Sequence, residues 1–395
     1  MRIAATAFLA IISCGIACGA EPAKLEGELI FPLDKKHNHA PGVVECRNGD
    51  LLVSWYHGSG ERSADDVAVW GARRRQGRDS WSDPFVMADV AGFPDCNTAM
   101  MIAPDDRLWL IWPTVLANEW DSVLTNVWTS KEYTADGPPA WDRQSIVLLK
   151  PDDFQKEFLD YLDNHLGNQE PLVGKQLGFL QKARDLSGDK LFQRISWQPR
   201  CKPTVLPSGR VLIPLYSDTY SISIMAVSDD RGMSWYASKP LIGYGNIQPT
   251  VLRRDDGTLV AYMRENGFQE RIRFCESTDD GITWSRIANS ELPSPGGGID
   301  GVRLANGHWL LVYNDTIDGR YQLAVSISDD EGKTWKWKRH LEKADRQSGQ
   351  SFAYPAVIQG ADGTIHSVYR CGTREGTSMK HVAFNEVWVM EGSAK

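Results

Sequence analysis

Three copies of one eight-residue pattern, Ser-x-Asp-x-Gly-x-(Thr/Ser)-Trp, stand in the C-terminal half of the chain, at Ser228–Trp235, Ser277–Trp284 and Ser328–Trp335. One local pattern recurring at a period of about fifty residues means one structural unit multiplied, as in a solenoid, a propeller or an array. Each residue type has a local task. The Asp and Ser side chains bond the backbone of a tight turn, Gly permits a positive φ, and Trp offers a large face to pack between units. The pattern therefore specifies architecture and carries no chemistry.

A second marker counts the units. Turn residues ahead of a run of Val, Leu, Ile, Trp and Tyr recur at Asn48-Gly49, Asp105-Asp106, Ser208-Gly209, Asp256-Gly257, Asn306-Gly307 and Asp362-Gly363. This is the signature of a hairpin feeding a buried strand. The spacings are 57, 103, 48, 50 and 56 residues. Removing an insertion of roughly fifty residues from the second restores the period. The spacing thus predicts an all-β fold, a six-bladed β-propeller with a helical insertion between blades 2 and 3. Degenerate boxes at Gly77–Trp81 and Ser130–Trp141 are expected to close the first two blades. The insertion, about 151–194, changes to helix period with Phe154, Phe158, Leu159 and Leu162, then Leu172, Leu177, Phe179, Leu180 and Ala183. A helical hairpin there lies over one mouth of the propeller as a lid, or packs on its side.

At 395 residues one propeller accounts for nearly the whole chain, residues 21–395. The net charge of −8 and the lack of a basic run argue against nucleic acid and anionic membrane surfaces as partners. Met1–Ala20 reads as a secretory signal, with Arg2, an apolar run Ile3–Ala17 and small residues Cys18-Gly19-Ala20. The run is too short for a membrane span. A secreted or periplasmic location is expected, with a lipid anchor on Cys14 or Cys18 as the alternative. Cys46, Cys96, Cys201, Cys275 and Cys371 are odd in number and lack metal-ligand spacing, which suits small buried fillers. No HxxxH pairing and no Gly-rich phosphate loop is present, so neither a metal nor an organic cofactor is expected.

In a propeller the innermost strands line the channel. Here they read HAPGVV from His39, CNTAMM from Cys96, CKPTVL from Cys201, IQPTVL from Ile247, IDGVRL from Ile299 and AYPAVI from Ala353. One register offers Ala40, Asn97, Lys202, Gln248, Asp300 and Tyr354. Five of these six are polar where a core-facing register would be apolar, so they read as a ring at the channel mouth. His39 sits beside that ring, and the loop after Tyr56-His57 carries Glu61, Arg62, Asp65 and Asp66. Arg264 and Arg320 flank strands near the mouth, where guanidinium forks suit a carboxylate or sulfate.

With its boxes and the phrases HAPGVVE, IQP, GGGID, YPAVIQ and DGTIH, the mature chain resembles the sialidase superfamily, and within it a divergent sialidase-like (BNR) branch. The resemblance implies an arginine triad for a sugar carboxylate, an Asp acid/base and a Tyr nucleophile activated by Glu. Carried over, the second and third arginines fall on Arg264 and Arg320, and the acid/base on Asp66 or Asp65. Three positions depart from the pattern. His39 replaces the first arginine, Gln248 replaces the Glu, and the nucleophile falls on Phe352, with Tyr354 two residues on and so on the same strand face.

The expected function is that of an exported, exo-acting glycoside hydrolase on a sialic acid-like or other acidic sugar of a glycan. Asp66 or Asp65 serves as acid/base, Arg264 and Arg320 hold the carboxylate, and Tyr354 acts as substitute nucleophile or as an orienting group. Lys202, Gln248 and Asp300 position hydroxyls, with Arg62 and Asn97 completing the substrate-facing set. The separation of Asp66 from Asp300 distinguishes retention from inversion. One alternative is a lyase on uronate glycans, using His39 and Tyr354 as base and acid and Arg264 or Lys202 as the cation. The other is a glycan-binding propeller without catalysis.

Overall fold

The computed structural model describes residues 22–166 and 175–393; the N-terminal segment read as a secretory signal lies outside the described residues. Six antiparallel sheets follow one another along the chain. Five have four strands; blade 3 has five, because its innermost strand is split into Gln198–Pro199 and Thr204–Val205. The other innermost strands are His37–Glu45, Ala99–Ile102, Asn246–Arg253, Asp300–Arg303 and Ser351–Gln359. Innermost strands touch one another between blades 1 and 2, 4 and 5, 5 and 6, and 6 and 1, and blade 3 contacts the strands of blades 2 and 4, so the sheets form a closed ring. This is the six-bladed propeller that the repeat predicts.

The ring is closed by the chain's own beginning. Leu25–Leu29 pairs antiparallel with Thr377–Phe384, Leu25 opposite Phe384, and so supplies the outer strand of blade 6. Without it that strand would present unpaired N–H and C=O groups at a sheet edge.

The apolar core is divided among the seams between blades. Trp55 and Val368 lie in the seam of blades 6 and 1, Trp112 and Val69 in that of 1 and 2, and Ile111 and Ile213 in that of 2 and 3. Leu212 with Leu259, Trp309 with Val260, and Val325 with Tyr369 occupy the remaining three. The boxes join these seams from below. In the first, Ser228 Oγ donates to Asp230 Oδ1 at 2.8 Å and accepts from Gly232 N at 2.7 Å, while Asp230 Oδ1 accepts from the Met233 and Ser234 amides at 2.9 Å. The same Ser–Asp bond, at 2.8 Å, recurs at Ser277–Asp279 and Ser328–Asp330. Each box glycine has positive φ, and a Cβ on Gly232, Gly281 or Gly332 would strike Trp109, Leu212 or Tyr262 of the preceding blade. The two degenerate boxes also bring Trp81 and Trp141 onto the preceding blade, Trp141 donating to Met87 O at 2.8 Å.

The insertion folds as helices α1 (Phe154–Tyr161) and α2 (Lys175–Ser187). Phe154 and Phe158 are buried against Trp197 and Tyr220. Lys182 pairs with Asp121 at 2.8 Å, and Phe179 meets Tyr244 edge to face at 6.2 Å. These contacts are with loops at the starts of innermost strands and at the ends of second strands. The hairpin therefore sits on the rim of the mouth, along blades 2 to 4, and not on a blade flank. A third helix, α3 (Glu386–Gly392), is capped by Asn385 and follows the last strand. The five described cysteines are buried and unpaired.

Candidate active site at the propeller mouth

Antiparallel order puts the boxes and the tight turns on one face of the ring and the starts of the innermost strands on the other. In or next to the innermost strands of blades 1, 2, 4 and 6, Ala40 (φ 48°), Asn97 (φ 38°), Gln248 (φ 57°) and Tyr354 (φ 56°) adopt left-handed backbone. In blades 1, 4 and 6 each coincides with a register shift, His39/Gly42, Ile247/Thr250 and Ala353/Ala356. The extra residue of such a bulge breaks the two-residue alternation and re-aims a side chain. Left-handed backbone costs about 1–2 kcal/mol per non-glycine residue, and strain of this kind concentrates at functional sites.

The bulge also explains why Phe352 and Tyr354 part company, although strict alternation puts them on one face. Phe352 is buried in the seam of blades 5 and 6, edge-on to Tyr369. Tyr354 turns into the mouth, where its ring lies 4.0 Å from that of His39, centroid to centroid. Its hydroxyl accepts from Arg264 Nη1 at 2.8 Å.

Two members of the expected ring are elsewhere. Blade 3 carries a longer excursion in place of the single-residue bulge, pairing Pro199 with Leu215 but Thr204 with Leu212. This excursion crosses the channel below the mouth. Arg200 donates to Pro41 O and to Pro355 O (2.7 Å), and Cys201 Sγ lies 3.2 Å from Ile299 O. Lys202 pairs with Asp300 at 2.8 Å. Asp300, in a strand without a bulge, also accepts from Thr250 Oγ1 at 3.0 Å and Val357 N at 2.9 Å. Lys202 and Asp300 therefore form a satisfied ion pair that ties blades together in the channel, and Asp300 makes no pair with Asp66.

Four guanidinium groups surround Tyr354. The Arg200, Arg264 and Arg320 carbons stand 5.2, 5.9 and 5.1 Å from its ring centroid, and Arg370 acts electrostatically on the same phenol. Their other bonds are to neutral groups: Arg320 to Gly296 O at 2.8 Å, Arg370 to Ser351 Oγ at 2.8 Å, and Arg264 to Asn266 Oδ1 at 2.9 Å. Among the described residues, none of the four lies within 4.0 Å of a carboxylate oxygen. The Nε groups of Arg200, Arg264 and Arg370 and Nδ1 of His39 are buried without a hydrogen-bond partner. Buried donors of this kind call for an explanation.

The charges set the protonation of their neighbours. Burial pushes the Tyr354 phenol up, but the Arg264 and Arg320 charges and a bond from Gln248 outweigh it, leaving the group below its ordinary value. The magnitudes agree, because a unit charge about 5 Å away is worth roughly 3 kcal/mol at an effective dielectric of about 20. His39 is held neutral, well below its ordinary range, by burial first and then by His37, Arg370, Arg320 and Arg200.

A polar network leads from Tyr354 to a carboxyl. Gln248 Nε2 and Asn97 Nδ2 both donate to Tyr216 Oη at 3.1 Å, Asn97 donates to Gln198 Oε1 at 2.9 Å, and Gln198 Nε2 donates to Asp218 Oδ2 at 3.0 Å. Burial pushes Asp218 up to about 6, against the pull of Arg264. On the opposite wall Glu61 accepts from Tyr56 Oη at 2.6 Å, and its charge reaches both Tyr354 and Asp218.

The other acids of that loop face outward. Asp66 is exposed, accepting from Ser59 N at 2.9 Å and Ser59 Oγ at 2.7 Å, bonds that hold its carboxyl below the usual range. Asp65 accepts from Asn118 at 2.8 Å. Arg62 stays at the rim between Glu119 (3.4 Å) and the Trp120 face (5.6 Å).

The structure thus gathers His39, Glu61, Asn97, Gln248, Arg264, Arg320 and Tyr354, and adds Asp218, Arg200, Arg370 and Tyr216. A signal for part of the second set exists. The residue seven places after each turn reads Tyr56, Pro113, Tyr216, Arg264, Asn314 and Arg370. That register is the mouth end of every second strand, as the pairings His39↔Tyr56, Ile247↔Arg264 and Ala353↔Arg370 demonstrate. Asp218 has no such marker.

Comparison with known proteins agrees with this architecture. The BNR repeat-like domain family matches residues 180–367. The anhydrosialidase of Macrobdella decora is 24% identical over 200 residues, a stretch that covers 44% of this chain and a quarter (25%) of the relative. Similar solved structures include a Dyadobacter fermentans protein of unknown function (16% identity, TM-score 0.66, covering 91% of this chain and 98% of that one). A leech intramolecular trans-sialidase (12%, 0.67, 93% and 71%) and a Streptococcus pneumoniae sialidase (11%, 0.65, 92% and 71%) share the fold. The fold and its boxes define a sialidase-type propeller. With the repeat match over residues 180–367, the chain is similar to the sialidase superfamily in fold and repeat pattern.

Proposed function

We propose that this protein is an exo-acting glycoside hydrolase for a carboxylate-bearing sugar of the sialic acid type. The observation that carries the reading is the convergence of four guanidinium groups, without carboxylate partners among the described residues, on one phenol at the mouth. Uncompensated buried charge is costly, and an anionic ligand held bidentately offsets that cost. Relatives of the same fold are sialidases by name, which supports the same substrate class. Arg264, Arg320 and Arg370 hold the sugar carboxylate, with Arg370 supplying the charge that His39 lacks.

Tyr354 Oη, in its phenolate form, attacks the anomeric carbon, forming a C–O bond as the bond to the leaving sugar breaks. The Asp218 carboxyl gives its proton to the departing oxygen. Water then attacks the same carbon, the Asp218 carboxylate takes its proton, and Tyr354 leaves. Asp66 and Asp65, at the rim, contact the outer part of the glycan. Export, expected from Met1–Ala20, puts the enzyme where such glycans occur.

A panel of fluorogenic acidic glycosides tests this. Turnover of a sialoside by the intact protein, lost in Tyr354→Phe, is expected; binding without turnover of any member would replace the hydrolase by a glycan-binding propeller. A second reading draws on the 4.0 Å contact of His39 with Tyr354, a neutral base beside a phenol, as β-elimination on a uronate requires. Rising absorbance from an unsaturated uronate during digestion would select it.

A further inference from the structure

The family pattern places a carboxylate beside the nucleophilic tyrosine, and this chain has Gln248 there. What deprotonates Tyr354 must then be sought elsewhere. We infer that Tyr354 rests as a phenolate, stabilised by the guanidinium groups around it, so that arginines take the place of a carboxylate base.

The geometry supports this from each element packed against the ring. Blade 4 directs Arg264 Nη1 to the oxygen at 2.8 Å and places beside it Gln248, whose amide donates to Tyr216 Oη at 3.1 Å. Blade 5 contributes Arg320, blade 3 Arg200 and blade 6 Arg370. Blade 1 contributes a neutral His39 at 4.0 Å and the opposing charge of Glu61. Tyr216, also near the ring, is buried and pushed well above its ordinary value. The Tyr354 oxygen accepts a hydrogen bond from Arg264 Nη1, and among the described residues no carboxylate lies in hydrogen-bond contact with it. A guanidinium that donates to the oxygen favours its charged form, so this contact suits a phenolate better than a neutral phenol. The shift of the group below its ordinary value agrees. The consequence for chemistry is direct, because a phenolate has no proton to shed before it attacks.

The test needs no substrate, so its failure is distinguishable from failure of the hydrolase reading. Protein labelled with ¹³C at tyrosine Cζ reports the ionisation of all 12 tyrosines by NMR. The expected spectrum at neutral pH holds one phenolate signal, absent from Tyr354→Phe and lost when the wild-type protein is unfolded at the same pH. Gln248→Glu, which restores a carboxylate beside the ring, is expected to return that signal to the phenol position. Should Tyr354→Phe not fold, the native and unfolded wild-type spectra decide by themselves. Phenol-range signals for every tyrosine of the native protein would overturn the inference, as would a phenolate signal that survives in folded Tyr354→Phe.

Discussion

Tyr354 and Phe352 show how a single residue's role escapes periodicity. Two-residue alternation assigns them one face, and a left-handed residue at position 354 assigns them two. The polar register of the innermost strands was legible, because a polar side chain in a core-facing run is conspicuous. Whether each member faces a ligand or a partner was not, since Lys202 and Asp300 satisfy one another across the channel. Asp218 was invisible because its burial comes from the loops around it. Replacing it with Asn is expected to lower kcat by roughly 10²–10⁴, while Asp66→Asn changes activity by less than about tenfold. With its carboxyl pushed up to about 6, the acid form prevails below that pH, so kcat/KM is expected to fall as pH rises through about 6 and this limb to vanish in the Asn variant. In the proposed site, Arg370→Gln would remove one charge-assisted contact to the sugar carboxylate. It is expected to raise KM on acidic glycosides by about 10–100-fold without affecting a neutral analogue; equal losses on both would assign Arg370 to the fold alone.

Among elements, the boxes and turns were the easiest to read, since their side chains bond their own backbone and depend little on the rest of the chain. Helices α1 and α2 were legible as helices from Phe154, Phe158, Phe179 and Ala183. Their seat on the rim rests on Tyr220, Tyr244 and Asp121, partners distant in sequence. The boxes also make a quantitative expectation. Gly281 holds positive φ, and a Cβ there would lie 2.7 Å from Leu212 of the preceding blade. Gly281→Ala is expected to cost about 2–4 kcal/mol, from left-handed strain and overpacking together, read as a lower denaturant midpoint at unchanged slope. Activity of the remaining folded protein stays intact, because box and mouth lie on opposite faces.

At the level of the whole molecule, six repeats gave the blade number, yet the closure of blade 6 by Leu25–Leu29 had no signal, as that short segment carries no box. Closure buries histidines. His381 Nδ1 lies 3.4 Å from Glu28 on the closing strand, and its Nε2 is 3.0 Å from Nδ1 of His366, which burial pushes down to about 3. The unfolded chain takes up protons at such a histidine below its ordinary value of about 6.5, while the native chain does not until about 3. Stability contributed by neutral His366 is therefore full above pH 6.5 and lost progressively as pH falls from 6.5 to 3. His366→Gln is expected to flatten the decline of Tm across that window, measured by calorimetry at several pH values. The excursion at Arg200–Lys202, between the two halves of blade 3's innermost strand, has a different bearing, on traffic. With the Arg200 side chain reaching across to Pro41 and Pro355 and the Lys202–Asp300 clasp beside it, the channel is bridged beneath the mouth; under the proposed reaction, product would go out through the doorway by which the next substrate arrives and would contend with it for the same arginines.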